Sequence, residues 1–247
     1  FPYLTGKYGG AAFLLFYLFV VVLISIPLFA IEISMGKASR KEPIGTYKTL
    51  RPGTPWFANG YLSVITNIVI TGWTAPIAGR VIAYLVKTPL GTFKDKDPAQ
   101  VKEYYQTFVS NPLEIVLWTS ILVILLVLVL SLGLNKGIER VTKILIPFLF
   151  SVLIVLIIRS LTLPGAAEGV SFYLKPDFSK LTMDGALAAI GQSFFSLGVG
   201  LGCALIFGSY MRPETKIVSN AAIIGGFSTA AAFLSGFLII PLVFVFG

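Results

Sequence analysis

Three glycines alternate in the middle of a long apolar segment, in the run QSFFSLGVGLG that covers residues 192–202. Each of Gly198, Gly200 and Gly202 lowers helix propensity by roughly 1 kcal/mol relative to alanine, so the run predicts an interrupted helix. An interrupted helix leaves backbone carbonyl and amide groups free, and such groups form ion and substrate sites within membrane-spanning helices. The spacing of Gly198 and Gly202 fits a packing face between two helices as well. A nucleotide-binding glycine loop is excluded in practice, since no strand and no βαβ unit surrounds the run.

Other polar residues also interrupt apolar segments. Glu32 is a carboxylate in the first such segment, where it faces a partner or a cavity, or else reaches the nearby interface. In the run GWTAPIAGR, Pro76 kinks a helix and releases a carbonyl, and Arg80 extends its charge outward along its aliphatic stem. Thr74 and Ser228 each bond to a carbonyl of their own helix or serve as a ligand.

The residue types that are scarce limit the chemistry. The chain has no histidine, which removes His-based acid/base catalysis, Ser-His-Asp triads and most zinc or haem sites. The single Cys203 excludes an internal disulfide and a cluster of thiolate ligands, and is expected to be a small packing residue. No paired acids fall on one helix face, so the sequence does not predict an enzyme.

The composition predicts an integral membrane protein. Hydrophobic residues make up 56% of the 247 residues and charged residues only 12%, too few to cover a soluble domain of this size. A helix needs about 20 apolar residues to cross the hydrocarbon core. Six segments satisfy this length as full transmembrane helices: 11–31, 58–86, 113–134, 139–162, 184–211 and 216–246. Phe1–Lys7 reads as the stub of one more helix, and the segments are too long for barrel strands.

Basic residues are concentrated on one side of this arrangement. The segments 36–57, 135–143 and 212–216 together carry ten Lys or Arg against three Glu, whereas the other side carries eight against seven acids. The basic side is therefore expected to be cytoplasmic in a plasma (inner) membrane. The net charge of +8 is thus a topology signal, and nucleic-acid binding is a poor explanation for it. The outer loops lack an N-x-S/T sequon and a cysteine, which favours a prokaryotic source.

Two outer loops are long. In 87–112, Asp97 and Pro98 form an N-cap and N1 pair that predicts a short helix. The 163–183 loop contains PGAAEG and KPDFSKL, both rich in turn-forming residues.

Three long motifs, in this order, resemble one family. FPYLTGKYGGAAFLLFYL…IPLFAIEISMGK resembles the outer half of helix 1 and all of helix 2 in the neurotransmitter:sodium symporters, which have the leucine-transporter fold. GIERVTKILIPFLFSVLIVLIIRSLTLPGAAEGVSFYLKPDFSKL resembles the family's fifth helix and outer loop, and GQSFFSLGVGLGCALIFGSYM its unwound sixth helix. The resemblance implies an all-α polytopic membrane protein whose helices form part of a leucine-transporter-type bundle of two inverted repeats. Residues 1–162 form most of the first repeat, and 184–247 begin the second.

The resemblance implies a substrate and sodium site at the interrupted helix. Phe195 matches the aromatic lid over the substrate, and Ser196 matches the hydroxyl that coordinates the sodium beside the substrate. Ser228 falls where the seventh helix supplies an Asn or Asp side chain to that sodium. The unwound stretch that lines the substrate pocket is matched by Gly198, Gly200, Leu201 and Gly202.

Further positions match structural and gating residues of the family. Glu32 matches a carboxylate that braces the broken sixth helix. Tyr17 and Gln192 match positions near the ion site used for chloride in chloride-dependent members. Ser209 and Tyr210 match the cytoplasmic end of the sixth helix, where the inner gate is anchored.

Several residues depart from the family pattern. Thr74 lies where a tyrosine normally contacts the substrate carboxylate, and Pro76 and Arg80 lie where the family has apolar residues. The pocket is therefore expected to differ from that of common amino-acid members. Ser228 is neutral where many bacterial relatives carry an acid. Ala232 replaces the chloride-related Ser or acidic residue, so chloride is not expected as a coupling ion.

The resemblance implies a sodium-coupled symporter of an amino acid or a related small amine that works by alternating access. The chain is expected to be a fragment, from the outer half of helix 1 through helix 7, that is incomplete for transport by itself. The alternative is a non-transporting membrane subunit or degenerate paralogue that binds partner helices. The expected partners are a small-molecule substrate and the bilayer, and the sequence leaves a homodimer open.

Overall fold

The computed structural model describes residues 1–94, 96–133 and 137–246, and within them it contains helices and no strand. The helices in chain order are α1 (Pro2–Lys7), α2 (Ala11–Ser39), α3 (Pro43–Leu50), α4 (Phe57–Lys87), α5 (Pro98–Ser110), α6 (Pro112–Ser131), α7 (Glu139–Leu161), α8 (Ala166–Leu174), α9 (Met183–Leu197), α10 (Cys203–Tyr210) and α11 (Ile217–Phe246).

The all-α polytopic fold class is confirmed. Among the described residues, five helices are long and apolar enough to cross a membrane, namely α2, α4, α6, α7 and α11. The predicted span 184–211 is not one continuous helix, because α9 and α10 are separated at residues 198–202. The predicted stub is α1, and α2 is longer than predicted because it continues to Ser39. Residue 134, Lys136 and Asp95, which entered the span and charge predictions, lie outside the described residues.

Helix α2 contains one π-helical turn, Val21–Ser25, between two α-helical parts. A π-turn holds one extra residue and rotates the helix beyond it, and such turns are frequent at functional sites. Ser25, at its end, is fully buried. The helix ends where Arg40 adopts a left-handed conformation with φ +55° and donates its amide to the Gly36 carbonyl.

The contacts divide the chain into two compact units, Phe1–Val64 with Pro147–Gly247, and Ile65–Ile146. This division follows packing, whereas the predicted repeats (1–162 and 184–247) follow topology. The repeat boundaries therefore stay a prediction.

In the first unit, three buried clusters surround α2. Phe13, Tyr17 and Val21 pack on Ala189 of α9. Further along α2, Phe29 and Ile33 pack with Leu197 of α9, Ala204 of α10 and Ala221 of α11. Leu14, Tyr173 and Ile240 form the third cluster. Helix α2 is therefore the element against which both α9 and α10 are placed.

In the second unit, α5 is fixed at both ends. Asp97 accepts a hydrogen bond from the Gln100 amide at 2.7 Å, and the Gln100 side chain accepts from the Asp97 amide, which completes a capping box. The short helix predicted after Asp97 is thus confirmed. Lys87 forms an ion pair of 2.7 Å with Glu114 and lies over the Phe108 ring, 4.5 Å from its centroid. These contacts join α5 to the ends of α4 and α6.

The 163–183 loop, with its two stretches rich in turn-forming residues, contains the nine-residue helix α8. The apolar face of α8 explains why a helix forms here, because Ala166 and Tyr173 are buried. The Tyr173 hydroxyl donates to the Phe233 carbonyl of α11 at 2.9 Å. Burial raises the pKa of this phenol above its usual range. The local turn signals were outweighed by packing on α11.

Candidate functional site

The interruption of the span 184–211 is produced by its glycines. Gly198, Gly200 and Gly202 adopt left-handed conformations, with φ of +69°, +83° and +76°. Only glycine adopts this region without a steric penalty, so these three glycines cannot be replaced by other residues at low cost. Gly198 ends α9 and Gly202 begins α10. The two residues flank a non-helical turn, so the alternative of a continuous Gly-x-x-x-Gly helix face is wrong.

Glu32 is placed at this turn by α2. Its Oε1 atom accepts a hydrogen bond from the Gly200 amide at 2.7 Å. Its Oε2 atom is buried and has no hydrogen-bond partner among the described residues. Burial, together with the negative charge of Glu32, raises the pKa of the nearby Tyr47 phenol. The amide freed by the interruption is therefore satisfied by a carboxylate from another helix.

A second contact to the turn comes from α4. The Ser63 hydroxyl donates to the Gly200 carbonyl at 3.3 Å. Gly202 lies so close to this helix and to α3 that a Cβ atom there would be 3.0 Å from Pro43 and 3.1 Å from Ser63. Both backbone polar groups of Gly200 are thus held by side chains. Ser63 is not among the residues predicted from the sequence, because a serine in an apolar span gives no signal of a distant partner.

Three polar side chains meet at the end of α9. The Ser196 hydroxyl accepts from Gln192 Nε2 at 3.1 Å, and the Ser196 carbonyl accepts from the Ser228 hydroxyl of α11 at 3.2 Å. The local alternative for Ser228, a bond to its own helix, is therefore not what the structure shows. The arrangement brings two hydroxyls and one carbonyl together beside the helix interruption. These are neutral oxygen donors, the kind that suits a hard monovalent cation.

No group of three or more His, Cys, Asp or Glu residues that could hold a metal occurs within the described ranges. A cation bound at Ser196 and Ser228 would therefore be held by hydroxyl and carbonyl oxygens. This set of oxygen ligands fits sodium, a weak Lewis acid, better than a transition metal, which prefers nitrogen or sulfur ligands.

The remaining predicted pocket residues are less closely joined. Phe195 is 55% exposed, and Leu201 lies in the non-helical turn. The Thr74 hydroxyl donates to the Ile70 carbonyl of its own helix at 2.8 Å, and Thr74 belongs to the second unit. Tyr17 is 1% exposed, and its hydroxyl has no partner among the described residues. The roles of all four stay predictions.

The predicted inner-gate residues lie at the end of α10. Tyr210 is exposed, and the Ser209 hydroxyl bonds to the Ile206 carbonyl of its own helix. Two cations from the end of α2 bind the free carbonyls here. Arg40 donates to Ser209 and Met211, and Lys37 donates to Pro213 and Thr215 at 2.7 and 2.9 Å. The sequence analysis assigned both cations only to topology.

One buried contact was missed entirely. The Ser25 hydroxyl, at the π-turn of α2, donates to the Ser193 hydroxyl of α9 at 2.9 Å. Both residues are fully buried, and Ser193 in turn donates to the Ile190 carbonyl. Ser25 interrupts an otherwise apolar run, so a signal existed, but nothing in the sequence indicated its partner.

Comparison with known proteins identifies the family. The model described as the sodium:neurotransmitter symporter family matches residues 1–97 and 100–245. The chain belongs to this family. The sequence resemblance to neurotransmitter:sodium symporters is thus confirmed, and the chain is a multi-pass membrane protein of a transporter family.

Individual members of the family extend the comparison. The chain is 35% identical over 247 residues to YhdH, an uncharacterized sodium-dependent transporter of Bacillus subtilis (strain 168). This match covers 100% of the present chain and 55% of YhdH. It is 29% identical over 286 positions to sodium- and chloride-dependent creatine transporter 1 of Bos taurus. This match covers 97% of the present chain and 44% of the creatine transporter. The crystal structure of MhsT in complex with L-phenylalanine matches with a TM-score of 0.93 and 36% identity, over 100% of this chain and 56% of MhsT. The chain spans about half the length of these relatives.

Proposed function

We propose that the protein that carries this chain is a sodium-coupled symporter of an amino acid or a related small amine. The observation that carries the proposal is the interrupted helix, with the oxygens of Ser196 and Ser228 gathered beside it. YhdH is named a sodium-dependent transporter, which supports sodium as the coupling ion. MhsT was crystallised with L-phenylalanine, which supports an amino acid or related amine as the substrate.

Sodium would enter as a transported ion between α9 and α11. Its binding replaces the hydrogen bond from Ser228 to the Ser196 carbonyl, so both hydroxyls and that carbonyl become available to the ion. The binding of ion and substrate then favours one arrangement of the site over another, which is the thermodynamic basis of alternating access. Phe195, Gly198, Gly200, Leu201 and Thr74 are proposed to contact the substrate. No covalent step is part of this function.

The substrate is proposed to be a small molecule, as is the L-phenylalanine of the MhsT complex. Glu32 and Ser63 already occupy the polar groups of Gly200, so they are proposed to shape the turn rather than to bind substrate. Thr74, where family members carry a tyrosine, is proposed to change how a substrate carboxylate is held. Gly202, Ser209 and Tyr210 are proposed to act in gating.

Chloride is proposed to be unnecessary, with Ala232 in the position of the chloride-related side chain. Family membership does not decide this point, since the creatine transporter is named sodium- and chloride-dependent. Tyr17 and Gln192 would then position α9 rather than bind an anion. The basic loops 36–57, 135–143 and 212–216 are proposed to face the cytoplasm of a plasma membrane.

The test is uptake by the full-length protein in proteoliposomes, with a panel of labelled amino acids and small amines. We expect uptake that needs an inward sodium gradient and persists when gluconate replaces chloride. Ser196→Ala and Ser228→Ala should each raise the sodium concentration for half-maximal uptake by about 10-fold, the effect of about 1.4 kcal/mol. Ser235→Ala is the matched control, because the Ser235 hydroxyl bonds to Ala232 of its own helix.

Unchanged sodium dependence in Ser196→Ala would remove this residue from the ion site. Loss of uptake in gluconate would assign an anion site instead to the neighbourhood of Tyr17 and Gln192. Absence of uptake together with stable co-purification of another membrane protein would favour the alternative of a non-transporting subunit.

A further inference from the structure

The loop between α3 and α4, with the last turn of α3, lines a cavity of about 430 Å³ that the transport site does not use. It lies beyond the end of α3, and its lining is Lys48, Arg51, Pro52, Gly53, Thr54, Pro55 and Phe57. The lining therefore includes two cations and no carboxylate. Since the spans of α2 and α4 end at Ser39 and begin at Phe57, the cavity is close to the membrane surface.

The charge of this cavity is uncompensated by its surroundings. The sequence from 43 to 94 contains no Asp or Glu. Lys48 and Arg51 are exposed, and the ion pairs formed between described residues involve neither of them. Glu42 caps the opposite end of α3 through the Gly45 amide. The cavity is therefore a site of positive potential with space for an anion.

The backbone also favours an anion more than a helix end normally does. The carbonyls at a helix C-terminus carry partial negative charge, which repels anions. Here the Thr54 hydroxyl donates to the Arg51 carbonyl at 2.8 Å and occupies it. The Lys48 ammonium group lies over two rings, 5.8 Å from the centroid of Phe57 and 5.9 Å from that of Tyr61. These rings hold the ammonium group in place without neutralising its charge.

Aromatic residues place the cavity at the depth of lipid headgroups. Trp56 is 57% exposed, Phe57 is 40% exposed and Tyr61 is 47% exposed. Such amphipathic and apolar rings are enriched where a transmembrane helix meets the interface. A ligand in the cavity would thus have phosphate-binding cations on one side and acyl-chain contacts on the other.

We propose that this cavity binds the phosphate of an anionic membrane lipid, with Lys48 and Arg51 on the phosphate and Trp56 and Phe57 beside the acyl chains. Basic pockets next to transmembrane helices bind anionic headgroups through this combination of charge and position. The occupant is a lipid rather than a soluble phosphate, because the cavity opens beside exposed aromatic rings at the membrane surface. The site is independent of the proposed transport function.

The experiment is native mass spectrometry of the full-length protein in neutral detergent, titrated with phosphatidylglycerol or phosphatidylcholine. We expect a tight phosphatidylglycerol adduct that phosphatidylcholine does not form. K48Q/R51Q should weaken this adduct by about 30-fold, since each cation near a membrane surface strengthens anionic lipid binding by about fivefold. R212Q/K216Q is the matched control, with the same change of charge outside the cavity, and should keep the adduct.

Three results would overturn the proposal. Equal weakening in both double variants would show general charge attraction and no site. Equal binding of inorganic phosphate and phosphatidylglycerol would assign the cavity to a soluble anion. Retention of the adduct by K48Q/R51Q would place the lipid elsewhere. K48R/R51K, which keeps both charges, should bind as the unchanged protein does, so loss of binding through misfolding is distinguished from loss of charge.

Discussion

The two halves of the interrupted helix both lie against α2, but they are attached to it differently. Helix α10 approaches α2 backbone to backbone: a Cβ atom on Gly36 would collide with the Leu205 carbonyl, and one on Gly208 with the Ile33 carbonyl. Charged side chains of α2 also bind it at both ends, Glu32 just before its start and Lys37 and Arg40 beyond its end.

Helix α9 contacts α2 through side chains. These contacts include the Ser25–Ser193 hydrogen bond, the packing of Ala189 against Phe13 and Tyr17, and the packing of Leu197 with Phe29 and Ile33. Side chains can change rotamer while backbone atoms in contact cannot move independently. Helix α10 is therefore positioned as part of α2, whereas the side-chain contacts of α9 leave it more adjustable, and the glycine turn lies between the two.

The largest effect is expected from adding a methyl group between backbones. Gly208→Ala inserts a Cβ atom against the Ile33 carbonyl, so α10 must move away from α2. We expect the free energy of unfolding to fall by about 3 kcal/mol, which corresponds to a fall of about 10 °C in Tm in detergent. Gly191→Ala on α9 is the control, because nothing lies within 4 Å of its Cβ position. Equal Tm values for the two variants would contradict the contrast between the halves.

An intermediate effect is expected from removing the charge at the turn. Glu32→Gln keeps an acceptor for the Gly200 amide but replaces a carboxylate by a neutral oxygen, which weakens the bond by about 1 kcal/mol. Sodium-driven uptake should fall about 5- to 10-fold with little change in Tm. Glu168→Gln, an exposed carboxylate on α8, should leave uptake unchanged. Uptake at the unchanged level in Glu32→Gln would show that the charge does not position the turn.

The smallest effect is expected on α9. Ser25→Ala removes one hydrogen bond between helices, and such bonds average about 0.6 kcal/mol in membranes. The shift in Tm should be about 2 °C, and the double variant with Ser193→Ala should be scarcely less stable than either single variant. A loss as large as that in Gly208→Ala would mean that α9 is fixed as firmly as α10.

Local chemistry explains which features were predictable from the sequence. The interruption follows from glycine conformational preferences at Gly198, Gly200 and Gly202, and the start of α5 follows from the Asp97 cap, so both could be predicted. The spans follow from hydropathy alone. Each of these signals lies within a short stretch of chain.

Contacts between distant segments could not be predicted from residue types. Ser63 and Gly200 are separated by 137 positions, and Lys37 and Pro213 by 176. A serine or lysine carries no indication of which carbonyl it will meet, and the burial of Tyr173 that forms α8 depends on α11 as well. For Glu32, family resemblance indicated a brace at the broken helix, and the structure places its carboxylate on the Gly200 amide.

The π-turn at Val21–Ser25 sets the angular phase of α2. Each residue of an α-helix advances by about 100°, so one residue added in the middle rotates everything beyond it by that amount. The residues before the turn face α9 through Tyr17, and those after it face α10 through Glu32 and Gly36. Deletion of one residue within the turn would make α2 a regular helix. The two ends of α2 could then no longer pack on α9 and on α10 at the same time.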